Sequence, residues 1–377
     1  MSEYQYYEFQ AVDRPLTDAE MKALRAVSSR AEITRTRFVN TYSYGDFKGE
    51  PASWVERCFD AFLYLANWGT RELMLRLPVR VLGAELARRY CPGDEASAEV
   101  RGEFVVLALT SREEEGDDYP DDGSGWLASI IPVRAEIASG DHRALYLAWL
   151  MWAQWGEGVD EEAEEPPVPP GLRKLSAAQR AFADFLRIDP DLIRAAAERS
   201  TTPSMDPEAL RGWIGAFPPE ETAALLARVA LGEGAPVAAE LQRRFREAHS
   251  DGDEALPRTV GELLRAADAR TAERVRREDE RAAREKARRE REEAAARERH
   301  LVELAAREAE AWREVDEFVA EKKAPAYDHA VRLLRDLIEV AERQGHGPEA
   351  DARVQALREQ HRSKRSFVQR LDSLRKH

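Results

Sequence analysis

The sequence predicts an α+β N-terminal domain followed by an all-α domain, a long charged helix and a C-terminal helical unit, mainly helical overall. Three observations carry that reading. Short runs rich in aromatic and β-branched residues all lie before Leu109. From residue 172 to 248, segments of helical period each open with Ser, Asp or Pro. Between Gly261 and Pro325 neither glycine nor proline occurs, and every residue from Arg276 to Arg299 is charged or alanine.

The elements follow in chain order. Tyr4 to Val12 reads as a strand ended before Pro15, and Thr17 with Glu20 has capping-box spacing ahead of a helix whose apolar face is Leu16, Met21, Leu24 and Val27. Ile33 to Tyr44 alternates in part and predicts a second strand. From Pro51 the residues Trp54, Val55, Cys58, Phe59, Phe62, Leu63, Leu65 and Trp68 are apolar on most sides, which predicts one deeply buried helix ending at Gly69. Leu73 to Leu77 and Glu103 to Leu109 read as two more strands around a short helix, Gly83 to Tyr90, giving about four strands in an α+β layer. The acidic stretch Glu113 to Gly125 reads as a loop; its Asp117, Asp118, Asp121 and Asp122 do not follow the calcium-loop pattern. Helices are expected near Trp126 to Ile137 and from Asp141, as N-cap, through Trp155, where Leu145, Trp149 and Trp152 form a core-facing stripe.

This places an α+β domain at 1–155. The stretch GEGVDEEAEEPPVPPG is expected to be an exposed, extended, acidic and Pro-rich linker over 156–171. A small helical domain follows over 172–250, with Phe182, Phe185, Leu192, Ile193, Trp213, Ile214, Leu225, Leu226 and Phe245 inside. Thr259 and Glu262 again have capping-box spacing, so one charged helix is expected over 259–324. Its Arg276 to Arg299 part lacks any coiled-coil seam for about 24 residues, roughly 36 Å of helix. Pairs such as Glu280 with Arg284, Glu285 with Arg289 and Glu293 with Arg297, each worth about 0.2 to 0.5 kcal/mol, are expected to keep it helical in water. That makes it a connector or a partner-docking arm with anchored flanks, since large apolar residues return at Leu301, Val302, Leu304, Trp312, Val315, Phe318 and Val319. A C-terminal helical unit of three helices occupies 325–377.

Charge is uneven along the chain. Of 57 Lys and Arg and 71 Asp and Glu, residues 261 to 377 hold 28 and 26, which leaves 29 and 45 before them. The first part carries about −16, which argues against indiscriminate binding to nucleic acid or anionic lipid. No apolar stretch long enough to span a bilayer and no basic leader is seen, which predicts a cytoplasmic protein with no membrane partner. Cys58 and Cys91 stand in apolar contexts without a CxxC partner or a nearby His, and are expected to be buried, reduced thiols.

No residue set has the spacing of a metal site or a nucleophilic triad, and the Gly-rich phosphate motifs are missing, so no cofactor and no catalytic residue are expected. The seven histidines are expected in surface or capping roles. One cluster is chemically distinctive: Arg362, Lys364, Arg365, Arg370, Arg375 and Lys376, interrupted only by Asp372, form a basic terminal helix suited to an acidic partner, the chain's own acidic part or nucleic acid.

Tyr327, Ala330, Val331, Leu333, Leu334, Leu337, Ala341, Leu357, His361, Lys364 and Leu371 give the last segment a pattern that resembles the helical tails of bacterial SWIM zinc-finger proteins. GDHRALYLAWL, Gly140 to Leu150, is similar to another segment of them. The defining CxC…CxH motif is missing, so the resemblance implies helical packing and neither zinc nor finger-based nucleic-acid binding. The opening, MSEYQYYEFQ, is similar to that of an uncharacterised bacterial protein family, which implies no activity. The function expected from all this is a non-enzymatic scaffold or adaptor with a protein partner. Its rivals are a nucleic-acid-associated accessory factor using the basic C-terminal helix, and an enzyme with a site assembled in the N-terminal domain.

Overall fold

The computed structural model describes residues 3–113, 122–201, 207–248 and 257–374, and divides into two compact units, Met1–Glu273 and Arg274–His377. The α+β part followed by helices is the architecture observed, 59% helix and 14% strand.

The first unit is built on an antiparallel sheet of seven strands. In chain order come β1 (Gln5–Gln10), α1 (Asp18–Val27), β2 (Glu32–Ile33), β3 (Arg37–Tyr42), α2 (Pro51–Arg57), β4 (Ala61–Ala66), β5 (Thr70–Pro78), α3 (Ala84–Tyr90), β6 (Ala96–Arg101) and β7 (Phe104–Arg112). The spatial order is β2-β3-β1-β4-β5-β7-β6, with Phe9 of β1 opposite Phe38 on one side and Phe62 on the other. The expected capping box forms: Thr17 accepts from the Glu20 amide and the Glu20 carboxylate accepts from that of Thr17.

The helix expected from Pro51 to Gly69 is corrected. Only Pro51–Arg57 is helical, and Ala61–Ala66 is the strand β4. Every residue of β4 is buried, because Ala61, Leu63 and Leu65 enter the core on one face while Phe62, Tyr64 and Ala66 enter that on the other. A strand covered on both faces loses its alternation and reads like a buried helix. The edge strand β6, half polar, was not anticipated among about four strands; its Glu99 and Arg101 point to solvent.

Each sheet face has its own apolar layer. Under α1 and α2, Phe9 lies 4.5 Å from Phe62 and packs edge-on to Phe38 at 5.5 Å, ring centre to ring centre. The opposite face is covered by α3 and by α4 (Trp126–Ile130), α5 (Pro132–Ala138) and α6 (Arg143–Trp155). The same layer takes in α7 (Ala177–Phe185) and α8 (Pro190–Ala196), whose Phe182, Phe185 and Leu192 share one core with Leu73 and Leu147. Helices expected to form a separate domain over 172–250 are thus divided. Beyond α8, the helices α9 (Pro207–Gly215), α10 (Pro219–Arg228) and α11 (Gly234–Ala248) gather a smaller aromatic cluster, with Trp213 4.5 Å from Phe217 and 5.5 Å from Phe245.

The stretch 156–171 is not an exposed linker throughout. Pro166 and Pro169 are buried, the Pro167 carbonyl accepts from Tyr90, and Glu165 is ion-paired with Arg258, their side chains 3% and 7% exposed. The acidic composition that suggested solvent met an arginine 93 residues away, which local composition does not report.

Helix α12 (Val260–Ala306) starts at the expected Thr259/Glu262 box, and its Val260, Leu263 and Ala267 enter the core of the first unit. It does not continue to residue 324. The backbone leaves the helix at Arg307 (φ −121°, ψ 27°), and the Arg307 carbonyl, accepting from Glu310 and Ala311, starts α13 (Glu308–Ala320). With α14 (Ala324–Gln344), α15 (Gly347–Gln360) and α16 (Arg365–Leu374), these make the second unit, cored by Leu301, Leu304, Trp312, Val315, Leu334 and Phe367.

Candidate functional site

The basic terminal helix was the sequence's best candidate, and the structure uses part of it internally. Lys364 donates to the Val319 carbonyl at 2.8 Å, closing the C-terminus of α13, and Arg370 is paired with Asp328 at 2.6 Å while also donating to Ser366. Arg362 and Arg365 are exposed; Arg375 and Lys376 lie outside the described residues. The expected cluster is therefore two structural cations and two solvent-facing ones among the described residues.

A second basic constellation lies in the acidic first unit, and sequence reading passed over it. The chain leaves α7 through Arg187, which holds a left-handed backbone (φ 55°) while its guanidinium donates to the Gly69 carbonyl at 2.7 Å. This turn sets α8 beside α7 and leaves a groove of about 640 Å³ between them, bounded by residues 172–175 and by Arg270 of α12. Leu175, Ala183, Ile188, Ile193 and Ala197 form its floor, and Arg173, Lys174, Arg180, Arg194 and Arg270 its rim, with Asp184 and Glu198 as the two carboxylates.

The rim cations differ in how they are spent. Arg194 is paired with buried Asp191 at 2.6 Å and Arg270 with Glu198. Arg173 donates to the carbonyls of Ala197 and Glu198, and Arg180 to that of Leu175. Backbone carbonyls orient these guanidiniums without cancelling their charge. Arg173, Lys174 and Arg180 have no carboxylate partner among the described residues, and all three are exposed. The signal in the sequence was present: GLRKLSAAQR holds three cations and no acid inside an acidic half.

Other reactive groups are turned inward. Burial pushes the Cys58 thiol up to about 11 and Cys91 up to about 12, so both are protonated near neutrality and poor nucleophiles. Asp60, with no exposed surface, would be raised by burial, but the Asp13 and Val12 amides and the Arg76 guanidinium hold it below the ordinary carboxylate range. The Tyr146 hydroxyl donates to Glu165, which Arg258 also binds, and burial together with that carboxylate drives its proton affinity well up. Asp60 and the Tyr146–Glu165–Arg258 set are hydrogen-bonded structural networks. His300 contacts Asp336 at 2.8 Å, His346 lies 3.7 Å from Glu308, His329 stacks on Phe318 and His361 meets Phe367 edge-on. His249 and His377, and Asp117, Asp118 and Asp121 of the acidic loop, lie outside the described residues. No group of three or more metal-ligating side chains is found among the described residues, and no helix there is long and apolar enough to cross a membrane.

No family model, curated protein or solved structure matches the chain.

Proposed function

We propose that this protein is a non-enzymatic scaffold or adaptor that holds a protein partner in a bacterial cytoplasm. The observation that carries the reading is on α12: all 23 residues from 274 to 296 are exposed, although the helix has a core at each end. Internal pairs such as Arg274 with Glu278 at 3.3 Å and Arg289 with Glu285 at 2.8 Å support it without burying anything. A chain that spends this much helix on solvent, and keeps both thiols and Asp60 buried away from it, is built to present surfaces. The basic C-terminal segment favours this over a nucleic-acid accessory role, since Lys364, just before α16, and Arg370 on it are already committed within the second unit. The resemblance of this segment to SWIM zinc-finger tails is proposed to extend to helical packing alone, since Tyr327, Leu334, Leu337, Leu357 and Leu371 share one core.

The test is a tagged full-length chain purified from its native host. A partner that stays stoichiometric through size exclusion is the expected result. Salt-sensitive mobility shift of duplex or single-stranded nucleic acid, abolished by deleting residues 361–377, would overturn the reading.

A further inference from the structure

The geometry points to the α7–α8 groove as a docking site for an acidic amphipathic peptide segment of a partner protein. This rests on the adaptor reading and names the chemistry of the partner it needs.

Charge is the first argument. Five cations face two carboxylates around this groove, while residues 1–260 hold 29 Lys and Arg against 45 Asp and Glu. A basic rim in an acidic body focuses field locally, so it attracts carboxylates on a short segment while the surrounding surface repels extended polyanions. The second argument is the floor. Leu175 and Ile193 are only half-buried, so they offer contact area to Leu, Ile or Phe side chains placed at helical spacing, while buried Ala183, Ile188 and Ala197 close the floor beneath them. Third, two of the three uncompensated cations are held ready. Arg173 and Arg180 are oriented by the carbonyls they bind, which leaves their remaining N–H groups to receive carboxylates in a planar fork.

The lining also argues against other occupants. It contains no aromatic side chain on which a base could stack, which disfavours single-stranded nucleic acid. Because only Leu175 and Ile193 of the floor are partly exposed, an acyl chain lying on them would keep most of its length in water, whereas a helix would present only one face and keep its polar side solvated.

The experiment uses the full chain and a fluorescein-labelled synthetic peptide with Asp and Glu on one helical face and Leu and Phe on the other. A control peptide carries Lys in place of every acid. The acidic peptide should bind, with affinity falling as salt rises, and the control should not. The triple variant Arg173→Glu, Lys174→Glu, Arg180→Glu replaces exposed side chains but also removes their bonds to the Ala197, Glu198 and Leu175 carbonyls, so its melting curve should show one cooperative transition at a modestly lower temperature than the parent. It should lose the acidic peptide by roughly tenfold or more and gain the Lys peptide, a charge swap that a folding defect would not produce. Ile193→Asn should weaken the acidic peptide with the groove's charge unchanged.

No binding of the acidic peptide, equal binding to parent and triple variant, or equal binding of both peptides would overturn the proposal, as would sodium dodecanoate binding the groove where the peptide does not. If native-host partners are recovered equally by the parent and the triple variant, the adaptor reading stands and the groove is wrong. If the peptide binds as expected but no stoichiometric partner is found, the adaptor reading fails instead.

Discussion

Arg76 with Asp60 and Arg289 with Glu285 are chemically alike, guanidinium to carboxylate at 2.7 and 2.8 Å, yet they sit in opposite surroundings. The first pair is 6% and 0% exposed; the second is 68% and 48% exposed. Coulomb attraction is weak in water and strong in a protein interior, but so is the cost of stranding a charge once its partner is gone. The same two side-chain types therefore hold a core together in one region and merely bias a helix in the other.

The largest effect tests the buried end of that comparison. Asp60→Asn leaves Arg76 without its carboxylate, and Arg76 also donates to the Glu56 carbonyl and lies over Phe104, so it cannot swing out cheaply. The expected loss is about 3 to 5 kcal/mol in denaturant unfolding. A loss below about 1 kcal/mol would show that the site relaxes and that the contrast is overstated.

A smaller effect is the pH dependence of the same pair. Asp60 is held below its unfolded value, so its contribution is fully present above about pH 4 and is lost as pH falls toward the folded value. Stability of the parent should drop on acidification more steeply than that of Asp60→Asn, and the two curves should converge at low pH. Parallel acid limbs would break the assignment.

Smallest is the exposed ladder. In a peptide covering residues 270–300, Glu285→Gln should cost about 0.2 to 0.5 kcal/mol of helix, measured by circular dichroism, and added salt should lower the parent's helicity toward the variant's. A random-coil parent peptide would remove the basis for a self-supporting stretch.

Features that depend on neighbours in sequence were legible. The Thr17/Glu20 and Thr259/Glu262 boxes and the charge-laced part of α12 require only residues three or four apart. The ladder itself shows where that logic stops. Arg297, expected to pair with Glu293, instead reaches Asp336 at 2.7 Å and Glu339 at 2.6 Å, because a folded neighbour offered two carboxylates at once. Likewise β4 was misread because burial on two faces erases the period that separates strand from helix. The groove was half legible: an acid-free basic run was in view, but its apolar floor comes from α8, and Arg270 from far along the chain.

By itself, then, the sequence determined the α+β-then-helical order, the helix caps and a stretch of α12 with nothing to bury, because each follows from local spacing and backbone chemistry. Only the tertiary structure decided that α7 and α8 join the sheet's core, that the acidic stretch before them is anchored by Arg258, and that α12 stops at Arg307. Those outcomes depend on which apolar faces and opposite charges meet across long separations, where burial outweighs the local preference of the chain.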